Sequence, residues 1–445
     1  MLVFDTYMKV LKFGGTSVGS ASRIRDVAKL VSDSGKNIVV LSAMAGTTNT
    51  LLEICSSLYD RDTESARLVI ESLREKYVSV VEELFSTEAS KAVASEYISE
   101  AFQYLLSFLK APFRDTQERI VVSQGELLST FLFATYLKEQ GVNVCLLPAL
   151  TFMHLDSRGE PDIERLREEL TRLLEEHSDA ELYLTQGFIC TNVRGEVDNL
   201  KRGGSDYTAC LIGAALKTEE IQIWTDIDGL HNNDPRVVND TTPVRHLHFD
   251  EAAELAFFGA KILHPTCILP ARYVNVPVRV LNTMDPTAPG TLIDNDFDKG
   301  RIKAVAAKDN IVAIKIKSSR MLLAPGFLRK VFETFESYRT SVDMVCTSEV
   351  GVSLTIDDTR YLNDIVHDLK RYGTVSVELD MCIICVVGDM HWSNRGFESQ
   401  VMTALTDIAV RMVSYGGSNY NISVLVREED KASALRALSS KLFKQ

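Results

Sequence analysis

From residue 8 to about residue 295, short apolar runs alternate with longer stretches of mixed apolar and polar character. M-K-V-L-K-F, N-I-V-V-L-S, R-I-V-V-S, N-V-C-L-L-P-A, L-Y-L-T-Q-G-F-I, I-Q-I-W-T-D and V-P-V-R-V-L-N are rich in β-branched residues and lack clean alternation. That is the pattern of strands buried on both faces of a mainly parallel sheet. Ile24, Val27, Ala28 and Val31 recur at i, i+3, i+4 and i+7, which predicts an amphipathic helix. Residues 52–140 read as largely helical. The region is expected to be an α/β domain with helices on both faces of its sheet. Pro286, Pro289 and Gly290, followed by the polar run D-N-D-F-D-K-G-R, mark a linker near 285–305.

Beyond the linker the pattern repeats on a smaller scale. I-V-A-I-K-I-K reads as a strand and G-F-L-R-K-V-F-E-T-F-E-S-Y as a helix. V-D-M-V-C-T and V-S-L-T-I-D are strands, Y-L-N-D-I-V-H-D-L-K-R-Y a helix, and T-V-S-V-E-L a strand. A second round runs through C-I-I-C-V-V-G, a helix near 398–409, R-M-V-S-Y, N-I-S-V-L-V and a final helix. These are two ferredoxin-like α+β units in tandem. The second lacks a closing strand, so the two are expected to share one. The expected domains are 1–300, 301–380 and 381–445.

Composition narrows the class. The chain has 445 residues, 45% hydrophobic and 24% charged, with a formal charge of −13. A balance this acidic disfavours nucleic acid and anionic membrane as partners. No apolar stretch reads as long enough to span a bilayer, and the N-terminus lacks a basic region and cleavage signature. The expectation is a cytoplasmic protein. Of the eight cysteines only Cys382 and Cys385 form a C-x-x-C. They fall in a predicted strand, where residues three apart point to opposite faces, so two small core residues are expected rather than a metal site.

The stretch K-F-G-G-T-S-V-G-S, residues 12–20, joins the first strand to the first helix. A glycine loop before a helix suits phosphate, yet it fits neither familiar loop. Thr16 stands where the dinucleotide pattern needs its second glycine, and Ser20 where the P-loop needs its lysine. The loop's one lysine, Lys12, precedes the glycines. Further polar clusters sit at predicted strand ends: Ser42, Gly46, Thr47 and Thr48 in L-S-A-M-A-G-T-T-N-T, Glu126 after a glycine at an expected helix start, and Arg202, Ser205 and Asp206 in K-R-G-G-S-D-Y-T-A. Thr225, Asp226, Asp234 and Arg236 follow in W-T-D-I-D-G-L-H-N-N-D-P-R, and Lys261 and His264 in F-G-A-K-I-L-H-P. In open α/β sheets ligands bind beyond the carboxyl ends of the strands.

Taken together and in this order, the motifs resemble the aspartokinase family over nearly the whole chain. The resemblance is strongest to monofunctional, lysine-sensitive members, and the sequence stops after its tail, at Gln445. It implies the amino-acid-kinase fold and transfer of the ATP γ-phosphoryl group to the β-carboxylate of L-aspartate, the first step toward lysine, threonine and methionine. Mg²⁺ would be held mainly by the nucleotide phosphates, with no dedicated protein metal site. Phosphoryl transfer rests on positioning and charge neutralisation, and a carboxylate acceptor is ionised at neutral pH, so no catalytic histidine is needed.

By resemblance, Lys12, Asp206 and Lys261 are catalytic, with Asp206 orienting the lysines and also suited to capping a helix. Thr48, Glu126, Arg202 and Ser205 would hold the substrate, Arg202 on its α-carboxylate and Glu126 on its ammonium. Lys12, Phe13, Gly14, Gly15, Ser42, Thr225, Asp226, His231, Arg236 and Lys261 would meet the nucleotide. Where many relatives carry a tyrosine, this chain has His231. The tail resembles paired ACT domains, with Met321, Gly326, Phe327, Leu328, Ser341, Asp343, Thr347, Ser348 and Glu349 lining a pocket for an amino-acid effector, expected to be lysine. Asp343 or Glu349 would take its ammonium. Leu323 and Ala324 replace polar residues of the lysine-sensitive pattern. A homodimer or larger assembly through the tail is expected. The rivals are a kinase of the same fold acting on glutamate or N-acetylglutamate, and an amino-acid sensor with an inactive kinase domain.

Overall fold

The computed structural model describes residues 8–33, 35–200, 203–259, 264–318 and 325–443. The chain forms two compact units, one from residues 1–230 with 262–295, the other from residues 231–261 with 296–445.

The strands of the first unit are β1 (Val10–Phe13), β2 (Ile38–Leu41), β3 (Val144–Leu147), β4 (Leu182–Gln186), β5 (Ile189–Thr191), β6 (Val197–Asn199) and β7 (Ile221–Thr225). After β8 (His246–His248) of the second unit come β9 (Val278–Asn282) and β10 (Thr291–Asp294). The main sheet runs β3-β4-β2-β1-β7-β9-β10. It is parallel except where β10 joins β9, while β5 and β6 form a separate hairpin. Every residue of β2 and β4 is buried, which is why their sequences are apolar runs without alternation. The chain leaves β1 toward β2 and later returns to β7 on the other side of β1, so a crevice opens at the carboxyl ends of these strands.

Helix α1 (Ala21–Ser32) starts at Ser20, whose hydroxyl accepts a hydrogen bond from the Arg23 backbone N–H, and it buries Ile24, Val27, Ala28 and Val31 as the spacing predicts. Then come α2 (Thr47–Tyr59), α3 (Thr63–Leu84), α4 (Glu88–Ser107), α5 (Asp115–Glu139), α6 (Ile163–Glu176) and α7 (Gly204–Leu216), and, later in the unit, α9 (Leu269–Val274). Four expectations are corrected here. R-I-V-V-S is not a strand but part of α5. A short β-branched run looks the same in a buried helix as in a buried strand, and the acidic residues Asp115 and Glu118 in the first turn favour the helix. For the same reason Glu126 lies deep within α5, not at a helix start. Finally, α5 is itself long and apolar enough to cross a membrane by length and composition. It is apolar because it packs inside the unit's core, with Val121, Leu128, Leu132 and Phe133 all buried. The expected linker also holds structure, since β10 lies within it.

In the second unit, α8 (Phe249–Phe257) is followed by β11 (Ile302–Lys317), α10 (Phe327–Ser337), β12 (Val345–Ser348), β13 (Gly351–Ile356) and α11 (Leu362–Leu369). Next are β14 (Thr374–Gly388), α12 (Phe397–Ala404), β15 (Met412–Tyr415), β16 (Asn421–Arg427) and α13 (Lys431–Leu442). One antiparallel sheet runs β12-β13-β11-β14-β16-β15. T-V-S-V-E-L and C-I-I-C-V-V-G are therefore one strand, not two. Both tandem halves share β11 and β14, which pass from one half to the other where the register shifts between Lys308 and Ala313. Asn310 in that bulge has φ 58°, a left-handed conformation that asparagine tolerates. Ile314, Ile316, Leu354, Val331 and Phe335 form the core of the first half; Ile384, Val386, Val424, Val401 and Leu435 form that of the second. Cys382 and Cys385 are buried, and burial pushes both thiols up from their ordinary range.

Candidate active site

The crevice at the head of β1 collects most of the residues singled out in the first unit. Lys12 Nζ lies 2.7 Å from Asp206 Oδ1, with side chains only 11% and 15% exposed. The lysine comes from β1 and the aspartate from the first turn of α7, where its charge also favours the helix N-terminus. Gly14 follows directly. A Cβ placed there would come 3.4 Å from Lys12 Nζ, so the glycine keeps open the space over the ammonium. The side chain of Phe13 is wholly buried and stacks on Trp224 with ring centroids 5.7 Å apart. It is a core residue that fixes β1 against β7, and only its backbone faces the loop.

Glu126 enters from α5. A Cβ at Gly125 would stand 2.7 Å from the Ala43 Cβ, so the glycine lets α5 lie against the exit of β2. The Ala43 backbone N–H then donates to Glu126 Oε1 at 3.1 Å. Glu126 Oε2 is buried with no partner, and the residue is 3% exposed. Burial pushes its carboxyl up to about 7, partly opposed by the Ala43 hydrogen bond. A buried carboxylate with one oxygen unsatisfied is costly, and an incoming cation would remove that cost. Nearby, Ser42 Oγ donates to Ser205 Oγ at 2.9 Å, and Ser129 Oγ donates to the Ser42 carbonyl at 2.8 Å. The Ala43 amide and Ser129 were not singled out in the sequence; Gly125 was the one local signal for the first.

Thr48 is half-buried in the first turn of α2. Thr225 ends β7, and its hydroxyl donates to Asp226 at 3.2 Å. Gly15 packs tightly enough on the Ala43 carbonyl that a Cβ would stand 2.7 Å away. Arg202 and Lys261 lie outside the described residues. His231 and Arg236 belong to the second unit. There His231 Nδ1 is 2.9 Å from Thr241 Oγ1, and Arg236 forks onto Asp234 at 2.9 and 2.7 Å. The exposed Arg236 guanidinium holds Asp234 below the usual carboxylate range.

Among the described residues no group of three or more His, Cys, Asp or Glu side chains is placed to hold a metal. The geometry is that of an anion cradle beside a buried carboxylate. The cradle suits a phosphoryl group, and the carboxylate suits a ligand that carries an ammonium.

The amino acid kinase family profile matches residues 8–282, and an ACT domain profile matches residues 384–442. Aspartokinase 3, chloroplastic, of Arabidopsis thaliana is 37% identical over 98% of this chain and 81% of its own length. The lysine-sensitive aspartokinase 3 of Escherichia coli is 34% identical over 98% of this chain and 99% of its own. The chain belongs to the aspartokinase family. Aspartokinases are enzymes that move a phosphoryl group from ATP to aspartate. The crystal structure of E. coli aspartokinase III with aspartate and ADP superposes with a TM-score of 0.84 at 32% identity, covering 98% of this chain and 100% of that one. The same enzyme with lysine and aspartate gives 0.81 at 33% identity, covering 99% and 100%.

The aspartokinase tail places the expected effector residues unevenly. Met321, Leu323 and Ala324 lie outside the described residues. Gly326 (φ 82°) precedes α10. Phe327 is buried in the core of the first half, edge-on to Tyr372, so its side chain holds the sheet rather than lining a pocket. Leu328, Ser341, Thr347, Ser348 and Glu349 are exposed. Asp343 differs from them: its side chain is 2% exposed, and Lys308 Nζ lies 2.8 Å from its Oδ1.

Proposed function

We propose that this aspartokinase transfers the γ-phosphoryl group of ATP to the β-carboxylate of L-aspartate, giving 4-phospho-L-aspartate, and is inhibited by lysine through its tail. One observation carries the first part: the Lys12–Asp206 pair stands beside the glycine cradle at the head of β1, with the unpaired oxygen of Glu126 buried close to the same strand ends. Asp206 holds the Lys12 ammonium at the cradle, where it offsets charge on the equatorial phosphoryl oxygens. Glu126 draws the substrate ammonium, and Ser205 and Thr48 supply neutral hydrogen bonds. Arg202 suits the α-carboxylate, and Lys261 would add a second cation from F-G-A-K. Thr225, Asp226, His231 and Arg236 are the nucleotide contacts of this reading. In this reading Mg²⁺ is carried mainly by the nucleotide phosphates.

Support for the lysine reading is the ACT profile in the tail, the name of the E. coli relative, and the likeness to a structure that holds lysine. The reading also includes a homodimer or larger assembly through the tail and a cytoplasmic setting. The test is ADP release from ATP·Mg²⁺ with L-aspartate, L-glutamate or neither, each with and without millimolar lysine. Turnover that requires aspartate and falls with lysine is the expected result. Turnover with glutamate alone would move the chain to another substrate, and none with either would leave the sensor reading.

A further inference from the structure

The surroundings of Lys308 form a complete binding site for a primary ammonium, already filled from within the chain. Lys308 Nζ lies 2.8 Å from Asp343 Oδ1, 2.8 Å from Asp357 Oδ2 and 4.6 Å from the ring centroid of Phe257. Two carboxylates and an aromatic face are what recognises a primary ammonium. Burial alone would lower the pKa of Lys308, yet the two carboxylates raise it above the ordinary value, so the group stays charged. The second oxygen of Asp343 is buried without a partner. A cavity of about 240 Å³, whose walls include Asp343, Phe257, Glu254 and Ser418, adjoins this group.

A ligand ammonium that binds Asp343 Oδ1 therefore has to take the place of Lys308. We propose that Lys308 is a built-in occupant of the effector's ammonium position, and that the effector acts by displacing it. The inference rests on the lysine reading above. It makes Lys308 the residue that sets effector sensitivity, because a ligand competing with an internal group loses apparent affinity by the fraction of time the position is free. A tethered competitor acts at an effective concentration of about millimolar.

Displacement has a readable consequence within the unit. Lys308 sits where the register of β11 shifts. The end of α8 and the turn after it rest on the same spot, through Phe257 over the ammonium and through Gly259, where a Cβ would meet the Ala307 carbonyl oxygen at 2.1 Å. With φ 118° as well, residue 259 must be glycine for α8 to end there. Removing the ammonium frees Phe257 and loosens the end of α8 from β11.

The test is L-lysine binding by calorimetry to full-length wild type and to Lys308→Met, with melting temperatures measured alongside. Losing the ammonium leaves Asp343 buried without a cation, so the variant is expected to melt lower. L-lysine should then bind it at least about 10-fold more tightly and raise its melting temperature more than that of wild type. Equal or weaker binding by the variant, with wild type binding normally, would overturn the role of Lys308 and leave lysine as effector. Binding by neither protein would overturn both. If Lys308→Met does not fold, wild type decides: pulse acetylation read by mass spectrometry should label Lys308 severalfold more in saturating L-lysine than in equal D-lysine, which consumes reagent equally. Unchanged labelling would overturn the displacement.

Discussion

The molecule uses a buried lysine–aspartate pair twice, with opposite consequences. Lys12–Asp206 and Lys308–Asp343 have nearly the same separation, 2.7 and 2.8 Å. In the first, both partners keep some exposure and a glycine leaves the ammonium open on one side, so the pair can meet an incoming anion. In the second, the aspartate side chain is only 2% exposed, and the lysine, 19% exposed, is engaged by a second carboxylate and an aromatic ring. The same chemistry thus leaves the ammonium with one partner in one unit and with three in the other. What separates them is the neighbour of the lysine: Gly14 in one case, Asp357 and Phe257 in the other.

The largest effect should come from breaking the open pair. Lys12→Ala and Asp206→Ala are each expected to lower kcat by at least ~100-fold, the scale of one lost transition-state charge contact. Steady-state kinetics at saturating aspartate measures this, and near-normal kcat in either variant would remove the assigned role. Glu126→Gln should act on binding instead, raising the KM for aspartate about 10- to 100-fold for a charge-assisted contact while changing kcat less.

The Glu126 carboxyl, lifted to about 7 by burial, also gives a pH signature. Below about pH 7 it is protonated and attracts no ammonium, so the KM for aspartate should climb as pH falls from 8 to 6, and Glu126→Gln should flatten that slope. The sign for stability is the reverse. An acid whose folded pKa is raised binds more protons folded than unfolded, so stability is lost as pH rises from about 4.5 toward 7. Glu126→Gln should therefore melt higher than wild type at pH 8 without ligand, as a thermal scan would show. The smallest effect is expected from Ser205→Ala. A neutral hydrogen bond contributes about 0.5–1.5 kcal/mol, so its KM for aspartate should rise about 2- to 10-fold, and a larger change would mean that Ser205 does more than hydrogen-bond.

The two pairs also differ in how far the sequence reveals them. Lys12 and Asp206 sit in glycine-marked motifs at strand ends, where the local chain alone announces close approach to a ligand. Glu126 was visible too, but its setting was not. R-I-V-V-S reads as a strand because β-branched residues buried in a helix on every face carry no helical period, and only the packing of α5 distinguishes the two. Lys308 carried no signal. It stands at the end of an ordinary strand pattern, 35 residues from Asp343, and its site exists only once β11, α8 and the segment before β12 are brought together. The shared sheet of the tail is half legible: the second repeat visibly lacks a closing strand, while the polar residues around Asp380, at φ 54°, hide the continuity of β14.

The destination of the phosphoryl group is the most direct test of the assigned chemistry. Hydroxylamine traps an acyl phosphate as its hydroxamate, so the product can be read with L-aspartate or L-asparagine as acceptor, for wild type and Lys12→Ala. Hydroxamate is expected from aspartate alone, falling by at least ~100-fold in the variant. Hydroxamate formed at the wild-type rate without Lys12, or ADP released with none trapped, would contradict it.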